Sequence, residues 1–307
     1  MNHRPGLTNE AASKALREAG LNIAPGELAV EAREDRFAVM LPAERMAWFA
    51  ANARGRERLA VERKVLRLLA KRCGFAAPCI IFESASGDFD VRMKVAGRHD
   101  PWGLYEQIRS DRALAGRIGR AISAILVEQH TRINAADVRG WLPTRVSWPE
   151  PGDWIRARLP GVIHDRRLIG RLERLLESYE RVAVDPDDCV LVHADLGLHN
   201  IVVAPDTAEV CGVFDYDGAA WADRHHDFRY LIFHSDHEEA LDAAIAAYAP
   251  AVGRPIDRDR VLLYNAACAV SYLAYRRGVP SDVKHCGRTL AEDLAWIDNT
   301  LAKLRFG

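Results

Sequence analysis

The sequence predicts an α+β protein whose strands and helices are segregated along the chain. Three observations predict it. Short β-type runs crowd the residues before Gly97. Helical periodicity dominates after it. One further cluster of strand-like runs, CVLVH, NIVVA and EVCGVFD, interrupts the helical part. The boundary is set at the Ala96-Gly97 break, which gives an N-terminal part of residues 1–96 and a C-terminal part of residues 97–307.

The 307 residues are 49% hydrophobic and 28% charged, an ordinary globular composition. A chain of this length buries a sizeable core without help from disulfides or metals. The net charge of -1 argues against a sequence-independent grip on nucleic acid, which needs a strong basic excess. Charge is unevenly spread: residues 1–97 hold 16 Lys/Arg against 12 Asp/Glu, and the rest hold 26 against 31. The six cysteines form no CxxC pair and several sit in apolar runs, as small buried residues of a reduced compartment do. The first residues have no apolar signal core, and no apolar run is long enough to span a bilayer, so the expected location is the cytoplasm. Oligomeric state is not readable from the chain.

In order, a first helix is expected from about Asn9 to Ala19, stopped by Gly20. LAVEAR and RFAVMLP follow as a hairpin turning at Glu34-Asp35. Pro42 and an Ala-rich stretch then lead into a helix over about Arg56–Cys73, where Glu62 shares the apolar stripe of Leu59 and Leu66. PCIIFES and FDVRMKVAG complete the strands. The later helices are expected over about Arg112–His130, Arg166–Arg181, Glu238–Tyr248, Arg258–Arg277 and Thr289–Leu304.

The chemistry is concentrated between Val190 and Phe228. Three apolar strands there present Asp195, Asn200 and Asp215 at their ends, where catalytic groups usually sit. Two acids and an amide suit phosphoryl transfer. One carboxylate accepts a hydroxyl proton; the other carboxylate and the amide oxygen are hard ligands for Mg²⁺.

The stretch His193-Ala194-Asp195-Leu196-Gly197-Leu198-His199-Asn200 fits a His-x-Asp catalytic loop with Asn five residues after the Asp. Phe214-Asp215-Tyr216-Asp217-Gly218 follows at the spacing of a metal-binding motif, and Ala222 to Phe228 supplies a third element with two aspartates. Together these resemble the aminoglycoside phosphotransferase and choline kinase family. The resemblance implies a two-lobed protein-kinase-like fold, with a small strand-rich nucleotide lobe and a larger, mainly helical lobe. It implies ATP and Mg²⁺ as cofactors and a small-molecule hydroxyl as acceptor.

By that resemblance Asp195 is the catalytic base and His193 braces its loop. Asn200 and Asp215 hold Mg²⁺, Asp217 helps at the metal or the substrate, and Asp227 is structural. Glu62 pairs with a basic residue of the third strand that contacts phosphate. Gly26 is the one glycine near a phosphate-covering loop, and turn chemistry explains it equally well. The adenine is expected on the connector Met93-Lys94-Val95-Ala96. Reading RFAVMLP as the strand with the basic residue puts Met40 in that position. Three explanations stand open: Arg36 or Arg45 serves instead, Lys94 reaches in, or the protein is a weak or inactive nucleotide binder.

Acids of the C-terminal part, including Asp217, Asp223, Asp236, Glu238 and Glu239, favour an amino sugar or a quaternary amine as acceptor; an amino alcohol and a plain sugar stay open. Trp141, Trp148 and Trp154 are the candidates for an aromatic cage. A rival from other chemistry is a metal-dependent hydrolase using His225, His226, Asp227, His234, Asp236 and His237, although no metal-ligand spacing such as HExxH is present. A serine hydrolase lacks its GxSxG elbow.

Overall fold

The structure, a computed structural model, describes residues 6–232 and 237–304. Helix α1 (Asn9–Leu16) is capped by Thr8 and runs through a short 3-10 turn into Gly20, whose φ of 71° ends it as expected. Five antiparallel strands follow: β1 (Ala29–Arg33), β2 (Arg36–Leu41), β3 (Arg45–Ala50), β4 (Cys79–Glu83) and β5 (Phe89–Met93), in the order β1-β2-β3-β5-β4. Helix α2 (Ala53–Arg72) lies between β3 and β4 in sequence, capped by Asn52.

Strand β3 corrects the sequence reading, which ran from Pro42 straight into the helix. RMAWFA hides its period because alanines occupy both faces. In the sheet its pairing with β2 sets Ala38 opposite Trp48, and its pairing with β5 sets Trp48 opposite Asp90. The alternation of strand side chains then sorts the sheet into two faces. Val39, Leu41, Ala47, Phe49, Phe89 and Val91 form an apolar core with Ala12 and Leu16 of α1. Arg36, Met40, Trp48, Asp90 and Arg92 share the other face, toward α2. Gly55 lets α2 start there: a Cβ at this position would lie 2.0 Å from the Asp35 carbonyl oxygen.

Between β5 and α3 (Pro101–Ser110) runs the connector to the helical part. Val95 packs against Gly212, and Arg98 pairs with Val203 through its backbone. The helical part comprises α4 (Arg112–Arg132), the short α5 (Ala135–Val138) and α6 (Gly152–Arg156), α7 (Arg166–Glu180), α8 (Glu239–Val252), α9 (Arg258–Ala274) and α10 (Leu290–Ala302). The five long helices expected here all form. Helices α3, α5 and α6 escaped the sequence reading because they are too short to show a period. Helices α4 and α8 pack closely at Gly119, where a Cβ would meet the Ala240 carbonyl oxygen at 2.1 Å.

The interrupting strands make two separate ribbons rather than one cluster. Strand β6 (Cys189–Val192) pairs with β9 (Ala220–Asp223), a strand not foreseen, and β7 (Ile201–Val203) pairs with β8 (Val210–Val213). The loop 193–200 leaves β6, and the loop 214–219 leaves β8.

Candidate active site

The two loops are held against each other by backbone-directed hydrogen bonds. His193 is fully buried; its Nε2–H donates to the Phe214 carbonyl at 2.9 Å, and its Nδ1 accepts from the Asp195 amide at 3.2 Å. That pattern fixes the ring orientation and ties the first loop to the second. Asp227, also fully buried, accepts from the His193 amide (3.0 Å) and the Ala194 amide (2.8 Å), and from His130 and Gln129. This pinning stabilises Ala194 in the left-handed region at φ 68°, an unfavourable place for a residue with a Cβ. Arg229, which the sequence reading did not single out, donates to the Ala194 carbonyl and to the Trp148 carbonyl (2.9 Å). The hydroxyl of Tyr216 donates to Gln129 Oε1 at 2.9 Å, so its polar tip is satisfied in the core.

Asp195 and Asp215 face one cavity of about 750 Å³, which Asp217 and Arg58 also line. Asn200 is buried beside it and donates through Nδ2 to the Asp195 carbonyl (2.8 Å) and to Asp195 Oδ2 (3.1 Å). With its nitrogen so committed, Oδ1 is the atom left for a cation. His199 pairs with Asp195 at 3.3 Å. Burial works against the charge on Asp195, but the hydrogen bond and charge of His199 outweigh it and hold the carboxyl below its usual range. The same pair, against burial, lifts His199.

Asp215 is different. Burial first, then the charges of Glu62 and Asp217, push its carboxyl up to about 6. Its backbone sits at φ 67°, which aims the side chain off the end of β8. A buried carboxylate beside other acids is short of positive charge, and a divalent cation fits that deficit. Asp217, expected to help at the metal or the substrate, is engaged by arginines. Its oxygens are taken by Arg36 Nη2 (2.6 Å) and by Arg58, whose Nε lies at 3.0 Å. Burial still keeps Asp217 above its usual range.

The missing cation is explained by the strand that the sequence reading overlooked. Met40 lies on β2, not on the third strand, and is 40% exposed on the α2-facing side. The third strand presents Trp48 toward α2. Arg45 points to the opposite face and donates to the Pro42 carbonyl, and Lys94 pairs with Glu44 at 2.8 Å. Arg36 is the one of the three candidates that reaches Glu62, at 3.3 Å, with its guanidinium 4.7 Å from the Trp48 ring. A second guanidinium, unforeseen, comes from β5: Arg92 meets Glu62 at 2.7 Å and Asp90 at 2.6 Å. Burial opposes the charge of Glu62, but Arg92, then Arg36, keep it low.

Gly26 lies in a 3-10 turn before β1, held by Asn9, at the end of the strand away from the Glu34-Asp35 turn. Met93 closes β5, and Val95 sits on the connector. Of the hydrolase set, His225 pairs with Asp223 at 2.5 Å, His226 stacks on Tyr264 and accepts from Arg229, and His237 meets the Ile108 carbonyl. His234 and Asp236 lie outside the described residues. Among the described residues no group of three such side chains is poised to hold a metal.

A family profile described as a phosphotransferase enzyme family matches residues 27–264. The chain belongs to that family. Streptomycin 3''-kinase of Streptomyces griseus is 35% identical over 102 residues, which is 32% of this chain and 35% of that enzyme, so the match spans about a third of the relative. Among solved structures, an aminoglycoside 2'-phosphotransferase bound to GDP superposes with a TM-score of 0.69 at 18% identity, covering 96% of this chain and 98% of that one. The macrolide 2'-phosphotransferase of Brachybacterium faecium superposes with a TM-score of 0.62 at 18% identity, covering 97% and 100%. These likenesses establish the two-lobed kinase-like fold, with the five-stranded sheet as one lobe and the helical part as the other.

Proposed function

We propose that the protein transfers the γ-phosphoryl group of ATP to a hydroxyl of a small molecule. The observation that carries this reading is that Asp195 and Asp215 line one cavity, with Asn200 buried beside it and bonded to Asp195, next to a sheet that offers Arg36. The lobes divide near the connector at residues 94–100, and the nucleotide lies in the cleft between them. Met40, Met93 and Val95 are the candidates for its base. Gly26 lies before β1, at the Met40 end of that strand.

Mg²⁺ held by Asp215 and the Asn200 amide oxygen supplies charge neutralisation for the triphosphate. Asp195 accepts the proton of the attacking hydroxyl, with His199 and the Asn200 amide holding its carboxylate ionised and oriented. Glu62 and Asp217 hold Arg36, which contacts phosphate in place of a third-strand cation. Asp217 thereby joins the lobes through Arg36 and Arg58 rather than acting at the metal. The six cysteines are all free thiols, which supports a reducing compartment such as the cytoplasm. No helix among the described residues is long and apolar enough to cross a membrane.

The reading is tested by ADP release from Mg·ATP across a panel of hydroxyl compounds. Acceptor-dependent release that requires Mg²⁺ is expected; nucleotide binding without transfer to any acceptor would reduce the protein to a binder. Arg36→Met is expected to raise KM for Mg·ATP by about tenfold or more, the effect of losing a charge-assisted hydrogen bond.

The raised pKa of Asp215 gives a pH signature. Below about 6 the carboxyl is protonated in the free enzyme, so Mg²⁺-dependent nucleotide affinity should fall as pH drops through that value. The stability effect has the opposite sign. A carboxyl raised in the folded state destabilises the fold once pH exceeds its ordinary value, with the full effect reached above about 6. Asp215→Asn should therefore raise the melting temperature by a few degrees at neutral pH while abolishing turnover. Calorimetry of the two proteins checks this, and a lowered melting temperature would refute it.

A further inference from the structure

The acceptor end of the cavity has a chemistry that the acids of the sequence did not foretell. Beyond the reaction centre its walls are rings: Trp102 and Tyr105 from α3, Trp148 from the loop before α6, Tyr230, Tyr272 from α9 and Trp296 from α10. Among the described residues, Asp195, Asp215 and Asp217 are the only carboxylates that line it. All three are engaged in the chemistry or in ion pairs.

Of the other acids expected to attract a cation, Asp236 lies outside the described residues and the remaining three are paired elsewhere. Asp223 pairs with His225 and with Arg260 (2.8 Å) behind the loops. Glu238 is held by Arg258 and Lys303, and Glu239 by Arg112 at 3.0 Å. The three clustered tryptophans form no cage. Trp148 and Trp154 pack about Tyr275 at 5.6 and 4.8 Å, while Trp141 faces Lys64 of α2.

The cavity is also lined by a guanidinium. Arg288 lies 4.5 Å from the centre of the Trp296 ring and 5.2 Å from that of Tyr272, and its Nε donates to Asp293 at 2.7 Å. Asp293 is fully buried and is shared with Arg276 at 3.5 Å. Two of the ring faces that would greet an ammonium group, on Trp296 and Tyr272, already hold a cation. An ammonium group entering here loses its water, meets Arg288, and among the described residues finds no carboxylate in the cavity lining outside the reaction centre to replace its hydration. Apolar surface gains from the same walls.

We propose that the acceptor is a neutral or singly anionic hydroxyl compound with a large apolar or ring-bearing surface, and not a polycation. The proposal rests on the phosphotransfer reading for the identity of the site as an acceptor pocket. It goes beyond that reading in naming the substrate class.

The test is calorimetric binding to the full chain without nucleotide, so that it does not depend on turnover. Octyl glucoside below its micellar concentration and 3-phenyllactate serve as the neutral and anionic apolar probes. Glucosamine and kanamycin serve as the cationic ones. At least one apolar probe is expected to bind about tenfold more tightly than either cation, the effect of burying one ring or chain. Trp296→Ala should lose most of that gain. Trp102→Ala, on a side chain that is 73% exposed and so safe for folding, should lose part of it. Tighter binding of kanamycin than of both apolar probes, no detectable binding of either apolar probe, or unchanged affinity in both variants would overturn the proposal. Absence of ADP release with probe binding intact would instead count against phosphotransfer and leave the pocket's chemistry standing.

Discussion

Asp195→Asn is expected to lower kcat by about a thousandfold, within the range for removal of a positioned general base, while Mg·ATP affinity stays within about twofold. The separation follows from where the side chain points. Asp195 lines the acceptor cavity, and its ties run to His199 and Asn200 rather than to the nucleotide lobe. Asparagine keeps the shape and the bond to Asn200 but cannot take a proton. Steady-state kinetics with the best acceptor, together with calorimetric nucleotide binding, decides the matter. A variant with near-normal turnover would remove Asp195 from the chemistry. His193→Phe should give a smaller loss, because it loosens the loop without removing the base.

Asp227→Ala is expected to cost stability on the scale of about 3–5 kcal/mol. The carboxylate sits fully buried and takes hydrogen bonds from two backbone amides, from His130 and from Gln129. Truncation leaves those donors unpaired in the core. It also frees Ala194 from the pair of bonds that fixes its left-handed backbone. Burial already keeps His130 below its ordinary pKa, so the imidazole cannot recover the loss by taking up a proton. Since whole domains have stabilities of only about 5–15 kcal/mol, the variant should be marginally folded. Urea unfolding followed by circular dichroism measures the shift in midpoint. A midpoint within error of the parent would show that the four contacts do not hold the loop.

The segregation of strands before helices and the candidate site loops were legible in the sequence because both depend on local pattern. Residues 193–200 and 214–218 carry their spacing on the chain itself. Glu62 announced its inward role by sitting on an apolar stripe, and it is 2% exposed between Leu59 and Leu66. Strand β3 was not legible, because RMAWFA carries no clean alternation of polar and apolar residues. Its absence from the sequence reading shifted the strand count by one and put Met40 where a phosphate-binding cation was sought.

What the sequence by itself determined was which acids and amide stand together as the candidate reaction centre, since they lie within a few residues of strand ends and need no distant partner to be recognised. What only the tertiary structure decided was which cations pair with Glu62 and Asp217 and what side chains line the cavity. Arg36, Arg58 and Arg92 come from β2, α2 and β5, and Arg36 meets Asp217 across 181 residues of chain. Pairings at such separation are set by sheet register and lobe packing, which leave no local period. For the same reason the acids of residues 238–239 read as a cation-binding surface in sequence, yet in space they face other arginines while aromatic rings close the pocket.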